Sequence, residues 1–206
     1  MEFQTFFLEF KNESDRAAVI LGTAKIDLLL HQLLTAFFLP STENQDELLD
    51  GDSPLSSFHA KINIAYRLGI IDKKFTRALN ILRKIRNSFA HETTGCTLRS
   101  GSHSDRIKEL KKLFQYEDKF NFAKKIFFLM DDSASSDFRM AIALMAIRLV
   151  GAIKSTTTIY PDEPLELTTP QLIEFLTEFE KSHNKQISKP AEAGGPAGPA
   201  DGPREK

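Results

Sequence analysis

The segment from Ser14 to Leu39 constrains the fold most, because its apolar residues follow the helical period over about seven turns. Ser14 is placed to cap this helix, Asp15 suits the positive end of its dipole, and Pro40 ends it. The nearly all-apolar segment Phe138 to Ile153 predicts a second helix, central to the core or to an oligomer interface. The sequence has no strand pattern and no internal repeat, so we expect an all-α bundle of about five to seven helices.

Four further helices are predicted from cap and turn residues. Their expected limits are Ser53-Pro54 to Leu68 with Gly69 as C-cap, Asp72 to His91, Asp105 to Met130 with Ser104 as cap, and Thr169-Pro170 to about His183. The resulting organisation has an N-terminal lead-in (1–13), a helical core (14–130), C-terminal helices that pack on the core (131–187) and a tail (188–206). The tail is mainly Pro, Gly and Ala, and we expect it to be disordered.

Charge and cysteine content exclude several classes of protein. The formal net charge is -1, so no global field draws the chain to nucleic acid or to an anionic membrane. The single cysteine, Cys96, rules out an internal disulfide framework and fits a reducing compartment. The N-terminal sequence lacks the basic start and apolar core of a signal peptide, and charged residues interrupt the most apolar stretches. We therefore expect a soluble, cytoplasmic protein with no membrane partner.

The run from Leu79 to His91, LNILRKIRNSFAH, contains an arginine, an amide and an imidazole, which are side chains that can take part in catalysis, within a few residues of each other. As a helix it has an apolar face whose side chains recur at spacings of three and four: Leu79, Leu82, Ile85 and Phe89. Arg83, Asn87 and His91 recur every four residues on a polar face, with Arg86 at its edge. The question is whether these polar groups perform chemistry or hold the fold together.

Asp27, on the first long helix, is expected on or beside the buried face because apolar residues flank it on the helical wheel. A buried carboxylate needs a partner. Either Asp27 makes an internal salt bridge, or it is a supporting carboxylate that orients the polar face of the later helix. We predict that Asp27 lies within salt-bridge reach of Arg86 or hydrogen-bond reach of His91.

Several enzyme classes lack their sequence signatures. There is no Walker-type phosphate loop, dinucleotide fingerprint, HExxH or nucleophile elbow. Cys96 lies between His91 and His103, but one cysteine without tetrahedral ligand spacing favours neither a metal site nor a catalytic thiol. We therefore predict no metal and no cofactor.

Arg86, Asn87 and His91 together suit metal-free RNA cleavage. An arginine can hold a phosphate bidentately, and a histidine can move protons near neutral pH. The 2′-hydroxyl attacks its own phosphodiester, so the enzyme supplies only proton transfer and charge stabilisation. On a regular helix Arg86 and His91 are about 140° apart, so they share one focus only if the helix end unwinds. The structural alternative is that Arg86 pairs with Asp27 and His91 caps the helix C-terminus.

Two long runs, SDRAAVILGTAKIDLLLHQLL and ELLDGDSPLSSFHAKINIAYRLGIIDKKFTRALNILRKIRNSFAH, hold a DG-S-PL turn, a D-K cap and an arginine-to-histidine helix in that order. In these features residues 14–92 resemble the mannitol operon repressor (MltR-like) family. His59-Ala60-Lys61 stands where that pattern has a small residue and an arginine or lysine. The resemblance implies an all-helical transcriptional regulator without a recognisable DNA-binding domain, acting through protein contacts.

The spacing of Arg86, Asn87 and His91 is also similar to the R-N-x-x-x-H motif of HEPN-domain ribonucleases. In those enzymes the motif helices of two chains meet and build one composite site. This resemblance implies that Arg86 binds the scissile phosphate, His91 is the acid or base, and Asn87 positions one of them. Asp27 would be a supporting carboxylate.

Two functions follow as expectations. The first is a cytoplasmic, homodimeric MltR-like regulator that binds a protein partner. The second is a HEPN-type metal-independent endoribonuclease of toxin or defence type, with RNA as its partner. A direct DNA-binding repressor is a third reading, and it needs a contiguous basic surface formed by Lys108, Lys111 and Lys112 beside Arg83 and Lys84.

Overall fold

The computed structural model describes residues 2–92, 95–114, 117–128, 132–160 and 170–187. In these residues the chain forms eight helices and no strand, which confirms the all-α prediction. The helices are α1 (Glu2–Phe10), α2 (Asp15–Phe37), α3 (Phe58–Arg67), α4 (Lys73–His91), α5 (Gly101–Lys112), α6 (Glu117–Phe128), α7 (Ala134–Ser155) and α8 (Pro170–Ile187). Residues 1–160 form one compact unit that holds α1 to α7, and residues 161–206 form a second that holds α8.

Helix α2 is the centre of the first unit. It packs against α1, α3, α4 and α7, and its inward side chains are fully buried: Ala18, Val19, Ile26, Leu30, Leu33 and Leu34. By length and composition alone, α2 is the one helix of the described residues that is apolar enough to cross a membrane, and half of its most apolar window is buried in the bundle. Packing in the core accounts for the buried half of this window.

Helix α7, predicted from the apolar run that starts at Phe138, is the second core helix and packs against α2, α5 and α6. Gly22 allows α1 and α7 to approach α2 closely. A Cβ atom at Gly22 would stand 3.1 Å from the Phe10 ring and 3.2 Å from the Ile142 side chain. The small residue therefore sets how tightly these three helices pack.

Short polar side chains start two helices where the sequence predicts them. The Ser14 hydroxyl accepts a hydrogen bond from the Ala17 amide at 3.2 Å. The Asp72 carboxylate accepts one from the Phe75 amide at 2.7 Å. Gly69, with φ of 73°, follows the end of α3 and adopts the left-handed conformation typical of a helix C-terminus.

The predicted start of α3 at Ser53-Pro54 is wrong. The helix begins at Phe58, and the Ser57 hydroxyl accepts the capping hydrogen bond. Ser53 instead belongs to the preceding turn, because its hydroxyl donates to the Leu48 carbonyl at 2.7 Å. This serine ahead of a proline therefore stabilises a turn and does not begin a helix.

The segment predicted as one helix from Asp105 to Met130 is two helices, α5 and α6. Ser100, rather than Ser104, occupies the N-cap position of α5. Both helices pack on α7, and each places an apolar side chain in the core: Ile107 from α5 and Phe120 from α6. The break between α5 and α6 allows both helices to pack on the surface of α7. One straight helix of the same total length would extend beyond that surface.

The predicted lead-in, residues 1–13, contains helix α1, whose Phe10 side chain is buried in the core. Within the second unit, α8 exposes a row of large apolar side chains: Leu172, Ile173, Phe175, Leu176 and Phe179. The tail predicted for residues 188–206 lies outside the described residues. The boundary between the helical core (14–130) and the C-terminal helices (131–187) stays a prediction.

Candidate functional site

Helix α4 has the two faces that its sequence predicts. The side chains of the apolar face are fully buried: Leu79, Leu82, Ile85 and Phe89. On the polar face Arg86 and His91 are exposed and Asn87 is half-buried. The helix is therefore fixed to the core along one side and presents its arginine, amide and imidazole outward.

The polar face of α4 forms one wall of a cleft of about 400 Å³. Helix α2 and the start of α3 form the other walls. Its polar side chains include Asp27 from α2, His59 from α3, and three residues of α4: Arg83, Arg86 and Asn87. We call this the α4 cleft. Arg86, Asn87 and Asp27 thus line one concave surface, as the sequence-based reading required.

The two arginines of the α4 cleft have unused hydrogen-bonding capacity. Arg86 Nη1 donates to Asn87 Oδ1 at 3.3 Å. Arg83 Nε is buried without a hydrogen-bond partner among the described residues, and no described carboxylate lies within ion-pair distance of Arg83 or Arg86. Guanidinium groups with free donors suit bidentate binding of a carboxylate or a phosphate. The cleft therefore presents guanidinium donors that no described side-chain carboxylate occupies.

Asp27 lines the cleft, but the partner predicted for it is wrong. Its Oδ1 atom lies 2.6 Å from Lys61 Nζ, and no ion pair joins it to Arg86 or His91 in the part of the chain that the structure describes. The Lys61 side chain is 7% exposed, so its ammonium group needs a nearby anion more than the exposed Arg86 does. The internal salt bridge expected for Asp27 is therefore present with a different cation. No hydrogen bond of good geometry reaches this Oδ1 among the described residues.

His91 is not among the residues that line the cleft in the described part of the chain. Helix α4 stays regular through His91, so the angle of about 140° from Arg86 is kept and the two side chains do not share a focus. His91 lies in the last turn of α4, where a cation is favoured, so its capping role stays a prediction. The guanidinium of Arg16 supplies hydrogen bonds to the end of α4, donating to the carbonyls of Phe89 and Glu92 at 2.5 and 2.6 Å.

Two residues around the cleft were not predicted as site residues. His59 lines it from the first turn of α3, and its Nε2 atom lies 3.2 Å from Asn63 Nδ2. Lys61 holds the carboxylate of Asp27. In the sequence, His59-Ala60-Lys61 stands out only as the place where the family pattern has a small residue and an arginine or lysine, which does not predict that these side chains lie at the cleft.

The basic surface required for direct DNA binding is interrupted. Lys111 Nζ lies 3.4 Å from Glu117 and 3.5 Å from Asp137. Lys124 is buried between Asp132 and Asp137, at 2.5 and 2.7 Å. Burial alone would lower the pKa of Lys124, but hydrogen bonds from its ammonium group to the two carboxylates raise it above the ordinary value. These lysines are held in internal ion pairs and do not add to a nucleic-acid surface.

No protein-family model matches the chain, and no curated protein matches it by sequence. Among solved structures, the chain is similar to a chain in the X-ray structure of the MtlR–HPr complex from Escherichia coli. The match has a TM-score of 0.55 at 17% sequence identity and covers 72% of this chain and 99% of that chain. This chain has an MtlR-like fold. The likeness concerns the fold, and it agrees with the family resemblance of residues 14–92.

Proposed function

We propose that this chain is a cytoplasmic, homodimeric MtlR-like regulator that acts by binding a partner protein. The observation that carries the proposal is the fold, because the structural similarity extends over 99% of the chain in the MtlR–HPr complex. That structure contains a protein partner, HPr. The family resemblance of residues 14–92 supports the same function, because it implies a regulator without its own DNA-binding domain.

We assign the partner contact to the α4 cleft. Helix α4 carries six basic and no acidic residues: Lys73, Lys74, Arg77, Arg83, Lys84 and Arg86. Among the described residues only one of these six, Arg77, forms an ion pair, at 2.7 Å from Glu109. Of these six residues, Arg83 and Arg86 line the α4 cleft. Basic groups without a counter-ion on one such surface speed association with an acidic partner and fix its orientation.

The test is a calorimetric titration of the full chain with the HPr protein of the same organism. We expect binding that Arg86→Glu weakens at least tenfold, because the substitution places a negative charge in the α4 cleft. Lys84→Glu is the matched control, since Lys84 is exposed on the same helix about 160° away from Arg86. No binding by the folded chain would reject HPr as the partner. Equal weakening by both substitutions would remove the α4 cleft from the contact.

The ribonuclease alternative has one geometric observation in its favour, since Arg86 and Asn87 line the same cleft. His91 lies outside it, so a complete site would need His91 from a second chain. Light scattering after size-exclusion chromatography measures whether the protein is a homodimer, as we propose. A monomer at assay concentration would reject both our dimer and the composite ribonuclease site.

A further inference from the structure

A group of side chains that can ligate a metal lies just beyond the end of α4. Glu92 follows the last residue of α4, Cys96 lies in the connection to α5, and His103 is in the first turn of α5. A carboxylate oxygen, the sulfur and a ring nitrogen of these three residues lie within 4.8 Å of one another. The Cys96 thiol donates to Glu92 Oε2 at 2.7 Å. Three donors of different chemistry thus converge on one point.

His103 supplies an independent observation that points to a ligand. The residue is 8% exposed, and its Nε2 atom is buried without a hydrogen-bond partner among the described residues. Its ring packs on Phe89 with centroids 4.8 Å apart, so the imidazole is held in place. A buried ring nitrogen without a partner is costly, because it loses water and gains nothing in return. A metal ion would satisfy an imidazole in this cluster.

A role as a catalytic thiol fits Cys96 less well than metal binding does. The thiol donates to the Glu92 carboxylate rather than to a histidine base. A nucleophilic cysteine is activated by an adjacent general base such as histidine.

We propose that Glu92, Cys96 and His103 bind a divalent cation of the zinc class. Thiolate, imidazole and carboxylate are the donors that zinc takes in proteins, and three of them leave a fourth position open to water. The thiol gives up its proton on binding, so one proton is released per metal ion and the two anionic ligands neutralise its charge. Tetrahedral zinc holds its ligand atoms about 3.5 Å apart. The longest separation in this cluster, at most 4.8 Å, therefore has to shorten by up to about 1.3 Å, and the 2.7 Å between the Cys96 sulfur and Glu92 Oε2 has to lengthen by about 0.8 Å.

The bound ion would cross-link two helices. It would join the end of α4 to the start of α5, whose N-cap residue Ser100 makes no side-chain capping hydrogen bond. Arg16 is committed to the carbonyls at the end of α4, so its guanidinium does not occupy the ligand positions. The proposal is independent of the partner assigned to the α4 cleft.

The single cysteine makes the test unambiguous. We expect one equivalent of Zn²⁺ to slow the reaction of untagged full-length protein with a thiol reagent at least tenfold. We expect Co²⁺ to give a thiolate-to-metal charge-transfer band and the intense visible bands of tetrahedral coordination. Glu92→Gln should weaken Co²⁺ binding at least tenfold, and Cys96→Ser should abolish the charge-transfer band.

His103→Gln should abolish protection of the thiol, whereas the matched control His59→Gln, at an exposed histidine of α3, should keep it. His103 is buried, so melting curves without metal show whether that variant folds. The exposed Glu92 gives a second variant that tests the site if His103→Gln does not fold. Full thiol reactivity with Zn²⁺ present, or Co²⁺ bands that survive Cys96→Ser, would overturn the proposal. Equal loss of protection in His59→Gln would also overturn it.

Discussion

Two carboxylates of helix α2, Asp15 and Asp27, differ more in their partners than in their burial. Their side chains are 20% and 31% exposed, so exposure alone does not separate them. Asp15 accepts hydrogen bonds from the Leu98 amide and from the hydroxyls of Thr97 and Ser135. It also lies 3.5 Å from the buried guanidinium of Arg139. Asp27 has its ion pair with Lys61 and an open cleft in front of it.

The difference separates a structural position from one that is available for binding. Asp15 joins the start of α2, the segment before α5 and the start of α7, so its interactions are used in holding the bundle together. Arg139 completes this junction by donating to the carbonyls of Ser135 and Glu13. At the α4 cleft the carboxylate and the two arginines keep hydrogen-bonding capacity for a ligand. Substitutions at matched positions test this distinction directly.

The largest effect is expected for Asp15→Asn. The amide keeps one acceptor oxygen but loses the charge, which leaves the buried Arg139 without its counter-ion and one donor without a partner. We expect the free energy of unfolding to fall by about 2 to 3 kcal/mol. Urea denaturation followed by circular dichroism measures it, with Asp105→Asn, on the exposed face of α5, as the control. A loss under about 0.5 kcal/mol would contradict the structural role of Asp15.

Acid should reduce this difference between wild type and Asp15→Asn. Burial by itself would raise the pKa of Asp15, but the hydrogen bonds from Leu98 and Ser135 and the charge of Arg139 hold it below its ordinary value of 3.8. A depressed pKa in the folded state adds stability above pH 3.8, and that stability is lost as the pH falls through the folded-state pKa. Denaturation curves at pH 7 and at successively lower pH should therefore converge for the two proteins. A gap that stays constant down to pH 2 would show that the charge of Asp15 is not the cause.

Asp27→Asn should cost less, about 1 kcal/mol, although it removes the counter-ion of a buried lysine. The amide oxygen still accepts from Lys61, and Asp27, unlike Asp15, accepts no hydrogen bond from a backbone amide or a hydroxyl among the described residues. Lys61→Met is the companion variant, because it keeps the buried apolar stem and leaves Asp27 facing the cleft. Thermal or urea unfolding measures both. A cost for Asp27→Asn as large as that for Asp15→Asn would mean that the two carboxylates are equally structural.

Local patterns predicted much of the fold because their causes lie within a few residues of each other. Ser14 and Asp72 cap the helices that follow them, and the spacing of apolar residues predicts which face of α4 is buried. The predictions failed where two signals compete locally. Ser53-Pro54 has the composition of a helix start, but its hydroxyl is used in the preceding turn.

The pairing of charged groups was not predictable because distant helices decide it. Arg16 reaches a carbonyl 73 residues away, and Asp15 reaches a serine 120 residues away. The sequence offers several cations for Asp27, and only the packing of α3 on α2 brings Lys61 to it. The same holds for Cys96 and His103, whose spacing along the chain gives no sign that they meet beside Glu92.

We expect the smallest effect on stability for substitutions of Arg86 and His91, the two residues that suggested a catalytic site in the sequence. Arg86 and His91 are exposed, and the one side-chain hydrogen bond that either makes among the described residues joins Arg86 to its neighbour Asn87. We expect Arg86→Ala and His91→Ala to change the free energy of unfolding by less than about 0.5 kcal/mol. A larger loss would place them with Asp15 among the structural residues.

Because both variants should stay folded, they can also distinguish the two functional readings. RNA is incubated with wild type, Arg86→Ala and His91→Ala in EDTA, which removes metal-dependent nucleases. A binding regulator leaves the RNA intact in all three samples. Cleavage by wild type that disappears in both variants would show that His91 reaches the cleft of another chain. The cleft would then be half of a catalytic site, and the free arginines would serve a scissile phosphate rather than an acidic partner.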